Sequence, residues 1–124
     1  MTTSSATVLL EALSDRDFDR LADCFAPTAT MRALLPRGAV DYETPGQIVG
    51  AFQFWFGDQD SFEVVDTTID DVAGRVHVSW RFRVNATPRG DTGSHVIQQQ
   101  AYLRMSDRIE SIDLLCSGFV PESN

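Results

Sequence analysis

The 124-residue chain is 43% hydrophobic and 23% charged, the balance of an ordinary globular domain. A single domain of this length buries about two-thirds of its unfolded surface without staples. The net charge of −8, with ten arginines and no lysine, argues against nucleic acid or an anionic membrane surface as a partner. Two cysteines, Cys24 and Cys116, are too few for a disulfide framework. The N-terminal residues lack a positively charged leader, and no apolar run nears the ~20 residues that span a bilayer. The expectation is one domain over residues 1–124, cytoplasmic, with reduced thiols, and with flexible ends at 1–5 and 120–124.

Ala6, Leu9, Leu10 and Leu13 follow the i, i+3, i+4, i+7 spacing of an amphipathic helix, with Ser4 or Ser5 as cap. Ser14 to Asp17 breaks it. Phe18, Leu21, Ala22 and Phe25 repeat the spacing, so a second helix is expected up to Pro27. Thr28 to Leu35 reads as a strand, Pro36-Arg37-Gly38 as a turn and Ala39 to Glu43 as a loop. Thr44-Pro45-Gly46-Gln47 then carries an N-cap threonine, a proline at the first helical position and a glutamine three residues on. The helix that follows has the stripe Ile48, Phe52, Trp55 and Phe56, and Gly57 suits its end.

From Ser61 the pattern turns to β. Ser61 to Val72 loses phase near Val65, which predicts a bulge there. Arg75 to Thr87 is the clearest strand. Val76, Val78, Trp80, Phe82 and Val84 alternate with His77, Ser79, Arg81 and Arg83, the period-2 signature of a strand with one buried face. Ser94 to Met105 and Arg108 to Phe119 follow, joined by Ser106-Asp107 as a two-residue hairpin loop. Three early helices and four late consecutive strands predict an α+β fold, with helices covering one face of a curved antiparallel sheet.

The last hairpin fixes an expected register. Met105 opposite Arg108 sets Gln99 opposite Leu114 and Ile97 opposite Cys116, with Ala101 and Ile112 on the same inner face. His95 then lies inward and diagonal to Cys116. A histidine beside a thiol can take its proton and create a nucleophile, so His95 and Cys116 are the candidate catalytic pair; the competing reading of Cys116 is a small buried hydrophobe. Gln99, a polar group in an apolar wall, is a candidate donor to a ligand or a satisfied core amide. Met31, Ala33, Phe52, Trp55, Trp80 and Phe82 complete the candidate binding surface with Gln99, Ala101, Ile112 and Leu114. No His or Cys spacing suggests a metal, and no cofactor is implied. Outward-facing Arg81, Arg83, Arg104, Gln98, Gln100 and Tyr102 suit either solvent or a homodimer contact.

The element order, with the opening Leu13-Ser-Asp-Arg-Asp-Phe-Asp-Arg-Leu-Ala-Asp-Cys-Phe-Ala-Pro-Thr-Ala-Thr30, resembles the nuclear transport factor 2-like superfamily and its SnoaL-like members. The resemblance implies a conical α+β barrel with an apolar pocket closed by three helices, and frequent homodimers through the outer sheet face. Ketosteroid isomerases of that superfamily need a tyrosine on the first helix, an aspartate on the first strand and a second acid on the penultimate strand. Leu9, Ala33 and Ala101 stand at those positions, so that isomerase chemistry is not expected; nor is the Asp-Arg-Asp set of limonene epoxide hydrolase found on the inner face. Three readings follow: a module binding a small apolar ligand, a SnoaL-like enzyme acting on a cyclic or polyketide-like substrate, or a dimeric scaffold with a filled core.

Overall fold

The computed structural model describes residues 4–122. Three helices, α1 (Ser5–Asp15), α2 (Phe18–Ala22) and α3 (Pro45–Phe56), accompany seven strands. These are β1 (Phe25–Leu35), β2 (Gly38–Tyr42), β3 (Phe62–Val72), β4 (Arg75–Ala86), β5 (Thr92–Met105), β6 (Ile109–Cys116) and β7 (Val120–Pro121). They form one sheet in the order β2-β1-β6-β5-β4-β3, with β7 beside β5. The fold is α+β, as its segregated elements predict. The sheet, however, is mixed and open: β1 and β6 run parallel, all other pairs are antiparallel, and β2 and β3 remain as edges.

The helix caps follow the sequence signals. Ser4 accepts from the Thr7 amide at 3.2 Å, and Thr44 from the Gln47 amide at 3.1 Å. Gln47 reaches back one residue beyond the cap and accepts from the Glu43 amide at 2.8 Å. The two cap bonds each satisfy a backbone donor that a helix start leaves open, and the third fixes the chain entering α3. At the other end of α1, Arg16 takes a left-handed conformation (φ 54°, ψ 38°) and its amide bonds the Ala12 and Leu13 carbonyls. Its guanidinium donates to the Gln59 carbonyl at 2.8 Å and lies 4.9 Å from the Phe62 ring centroid, tying the end of α1 to the end of α3.

Several boundaries depart from expectation, and the last long strand ends at Cys116 rather than Phe119. The second helix stops at Ala22 and β1 begins at Phe25, because Phe25 pairs with Ile109 and the Ile109 amide bonds the Cys24 carbonyl at 2.9 Å; tertiary pairing overrides a helical spacing. The expected loop at 39–43 is mostly strand β2, whose residues are largely exposed at the sheet edge and so carry no alternation. The last hairpin is longer than two residues. Met105 pairs with Ile109, and a further irregularity lets Arg104 pair with Ser111, so Leu103 faces Ile112, Ala101 faces Leu114 and Gln99 faces Cys116. Beyond the bulge the register slips by two residues, which preserves the inward facing of Gln99, Ala101, Leu103, Ile112, Leu114 and Cys116; at the hairpin end the slip is one residue, and Ile109 turns inward into the core. Finally, Val120 and Pro121 form β7 against Val96 and His95 rather than a loose tail; residues 1–3 and 123–124 lie outside the described residues. The bulge does fall at Val65, between the Val64–Phe82 and Asp66–Arg81 pairs.

The inner face is packed. Phe52 and Trp55 of α3 meet edge to face at 5.4 Å, Phe52 lies 6.1 Å from Trp80, and Phe56 lies 5.2 Å from Phe82. These are the separations at which aromatic pairs attract beyond simple burial. On the outer face, ion pairs and amides cross the strands: Arg81 with Gln98, Arg75 with Asp113, and Arg83 with both Glu63 and Glu122.

Candidate ligand site

The centre of the cone and its open end differ. Met31, Ala33, Phe52, Trp80, Phe82, Gln99, Ala101, Ile112 and Leu114 all face inward and are buried. Gln99 is wholly enclosed (0% exposed) and its amide is satisfied inside the protein. Its Oε1 accepts from Trp80 Nε1 at 2.8 Å and its Nε2 donates to Cys116 Sγ at 3.3 Å. Trp80, Gln99 and Cys116 sit opposite one another on β4, β5 and β6, so the hydrogen bonds run along one cross-strand row. Gln99 is therefore a satisfied core amide that ties three strands together.

The row ends at a cavity of about 390 Å³. Leu35, Pro36, Phe54, Trp55, Pro88 and Phe119 give it apolar walls. Thr87, Cys116, Ser117 and Gly118 complete the lining, with Arg37 and Arg89 as its charged members. The volume lies within the range of about 300–1,000 Å³ seen for small-molecule sites. Phe54 is 67% exposed, a large ring left open to water. Local backbone shapes the floor: Gly118 adopts φ +79°, and a Cβ there would lie 2.7 Å from Pro36 Cγ. Its amide donates to Cys116 Sγ at 3.3 Å. Nearby Tyr42 has its phenol pKa raised, first by burial and then by Cys116. A second, more polar cleft of about 330 Å³ lies between β2, β1 and β6 and includes Met31, Tyr42, Ile112 and the Arg32–Asp41 ion pair.

Of the residues expected at a site, Trp55 and Cys116 reach the apolar cavity and Met31 and Ile112 the polar cleft. Ala33, Phe52, Trp80, Phe82, Gln99, Ala101 and Leu114 line neither. His95 and Cys116 do not come together. Cys116 sits opposite Gln99, whereas His95 lies four residues along β5, opposite Val84 and Pro121. Four strand residues span about 13 Å. The Nδ1–H of His95 donates to the Gly93 carbonyl at 2.8 Å. Sequence reasoning missed Leu35, Phe54 and Phe119 as walls. Phe54 did carry a signal, since it falls off the Ile48, Phe52, Trp55, Phe56 stripe and so had to be an exposed aromatic on α3. Among the described residues, no group of three His, Cys, Asp or Glu side chains is placed to hold a metal ion, and no helix is long and apolar enough to cross a membrane.

No protein-family model matches the chain, and no curated protein matches it in sequence. Solved structures do resemble it. A hypothetical protein with a ketosteroid isomerase-like fold from Catenulispora acidiphila, in complex with trimethylamine, superposes with TM-score 0.69 at 16% identity, covering 92% of this chain and 85% of that one. A proposed polyketide cyclase from Xanthomonas campestris pv. campestris gives TM-score 0.68 at 15% identity over 90% and 86% of the two chains. A proposed SnoaL-like polyketide cyclase from Shewanella putrefaciens gives 0.68 at 11% over 90% and 77%. The chain has the fold shared by ketosteroid isomerase-like and SnoaL-like proteins of the nuclear transport factor 2-like superfamily.

Proposed function

We propose that the protein binds a small, largely apolar ligand at the open end of the cone, without transforming it by acid–base chemistry. The observation that carries this reading is the cavity bounded by Leu35, Phe54, Trp55 and Phe119. Its lining holds one nucleophile-capable thiol, Cys116, and no His, Asp or Glu to serve as its base. Proton transfer needs a titratable group within hydrogen-bond reach of the reacting atom, whereas binding needs only the enclosed apolar surface. The complex of the Catenulispora acidiphila protein with trimethylamine supports a ligand-holding use of this fold. The two cysteines are free and buried, in keeping with a reducing cytoplasm. Outward-facing Tyr102 and Leu115, each more than a third exposed, support a homodimer contact on the outer sheet face.

The test is calorimetric titration with 2-naphthalenemethanol, a neutral two-ring probe. Saturable one-site binding is expected, and the exposed-wall variant Phe54→Asp should weaken it while leaving the circular dichroism spectrum unchanged. Absence of saturable heat with neutral, anionic and cationic naphthalene probes alike would overturn the proposal.

A further inference from the structure

The chain carries 18 acidic residues against 10 arginines, so a cavity chosen without regard to charge would most often meet a carboxylate. The apolar cavity meets none: its charged lining residues are Arg37 and Arg89. They come from two separate turns. Arg37 stands between β1 and β2, and Arg89 between β4 and β5. The second turn is held by its own backbone, with the Thr87 amide bonded to the Asp91 carbonyl at 3.0 Å and the Gly90 amide to the Thr87 carbonyl at 2.9 Å.

Among the described residues Arg37 makes no ion pair within 4.0 Å. Arg89 meets Asp91 through one nitrogen at 3.3 Å, with both side chains more than half exposed. Such a pair is weak, and a guanidinium with five N–H donors keeps most of them free. The other lining residues are mostly apolar, and the sulfur of Cys116 already accepts two N–H bonds. An occupant thus meets two exposed cationic side chains and a largely hydrocarbon wall.

We infer that the ligand of this cavity is an acidic amphiphile: an apolar ring or chain bearing a carboxylate or similar anion, whose charged end is held at the rim by Arg37 and Arg89. This rests on the ligand-binding reading above and narrows its substrate class. It also opposes the long-range field. A net charge of −8 attracts cations and repels anions at a distance, so the overall field and the local arginines predict opposite orders of affinity.

Three probes with one body separate them: 2-naphthoate, 2-naphthalenemethanol and 2-naphthylmethylammonium, titrated calorimetrically at low and high salt. The expected order is anion, then neutral, then cation, with the anion about three- to tenfold tighter than the neutral probe, as two partly exposed arginine–carboxylate pairs allow. In Arg37→Gln/Arg89→Gln, both exposed positions, the ratio of anion to neutral-probe affinity should fall to about one, whatever the change in the neutral probe's own affinity. If the neutral probe binds the native protein as tightly as the anion, or the cation binds best, the acidic-ligand inference is wrong and the binding site stands. If the anion preference survives the double substitution, other groups confer it and the assignment to these arginines is wrong. If no probe binds, the cavity reading itself fails.

Discussion

Replacing Gln99 by leucine distinguishes a structural amide from a ligand-binding one. The Gln99 side chain is fully enclosed and joins Trp80 Nε1 at 2.8 Å to Cys116 Sγ at 3.3 Å. Leucine is close in volume and fills the space, but it leaves the indole N–H without an acceptor in a site closed to water. An unpaired buried donor costs about 1–3 kcal/mol, part of it offset because the amide itself no longer needs desolvation. Each 1 kcal/mol lowers Tm by about 3–5 °C in a chain of this size. Gln99→Leu should therefore lower Tm by several degrees and move the urea midpoint without changing its slope. In a Trp80→Phe background the donor is gone, so Gln99→Leu should cost far less, giving a coupling energy of about 1–2 kcal/mol. If Gln99→Leu is neutral in ligand-free protein, or equally costly in both backgrounds, the row of hydrogen bonds does not hold the core and Gln99 is free to serve a ligand.

Gly118→Ala should destabilise by about 1–3 kcal/mol, because it combines a positive φ with a 2.7 Å approach to Pro36 Cγ. Gly90→Ala, at φ +93° with nothing within 4 Å of the added Cβ, should cost only the backbone part, about 1 kcal/mol; equal urea shifts for the two would refute the contact. Tyr42 should titrate above the usual phenol range by ultraviolet absorbance, and Cys116→Ala should bring it only part of the way back, since burial is the larger cause. Burial pushes the Cys24 thiol up to about 11, Arg20 opposing and Asp23 adding. The unfolded chain loses that proton near 9 and the folded chain near 11, so stability should fall as pH rises between these values. Cys24→Ala should flatten that part of the alkaline urea profile, and an unchanged profile would show that Cys24 does not contribute.

Legibility in the sequence followed burial. The strand Arg75 to Ala86 alternates because one face meets α3 and the other faces solvent, so its inward set was readable without coordinates. The start of α3 was readable because Thr44, Pro45 and Gln47 each satisfy a local backbone demand. Strand β2 was not readable, since an edge strand exposed on both faces has no period. The parallel β1–β6 pair joins segments more than seventy residues apart, and nothing local in Phe25 or Ile109 announces the partner. The hairpin at 106–108 shows a subtler case. Two one-residue irregularities cancel in parity, so the faces of Gln99 and Cys116 came out right while their opposite neighbours did not. The actual register removes the expected His95–Cys116 pair, because diagonal contact depends on register and not on parity alone.

The same bulk that made β4 legible fills the inner face of the sheet. Trp80 and Phe82 on β4 and Phe52 and Phe56 on α3 fill the middle of the cone with four rings. Leu9, Ala33 and Ala101 are enclosed as well. A carboxylate at such a position would lose its hydration among apolar neighbours, a penalty that neutralises the acid or unfolds the site. Apolar residues at all three positions and a ring-filled inner face are thus one arrangement: where burial is this complete, an ionisable group without a partner is a liability. Space for a small molecule survives where the packing stops, between the ends of β1, β4 and β6, and the chain sets Trp55, Cys116 and two arginines along that margin.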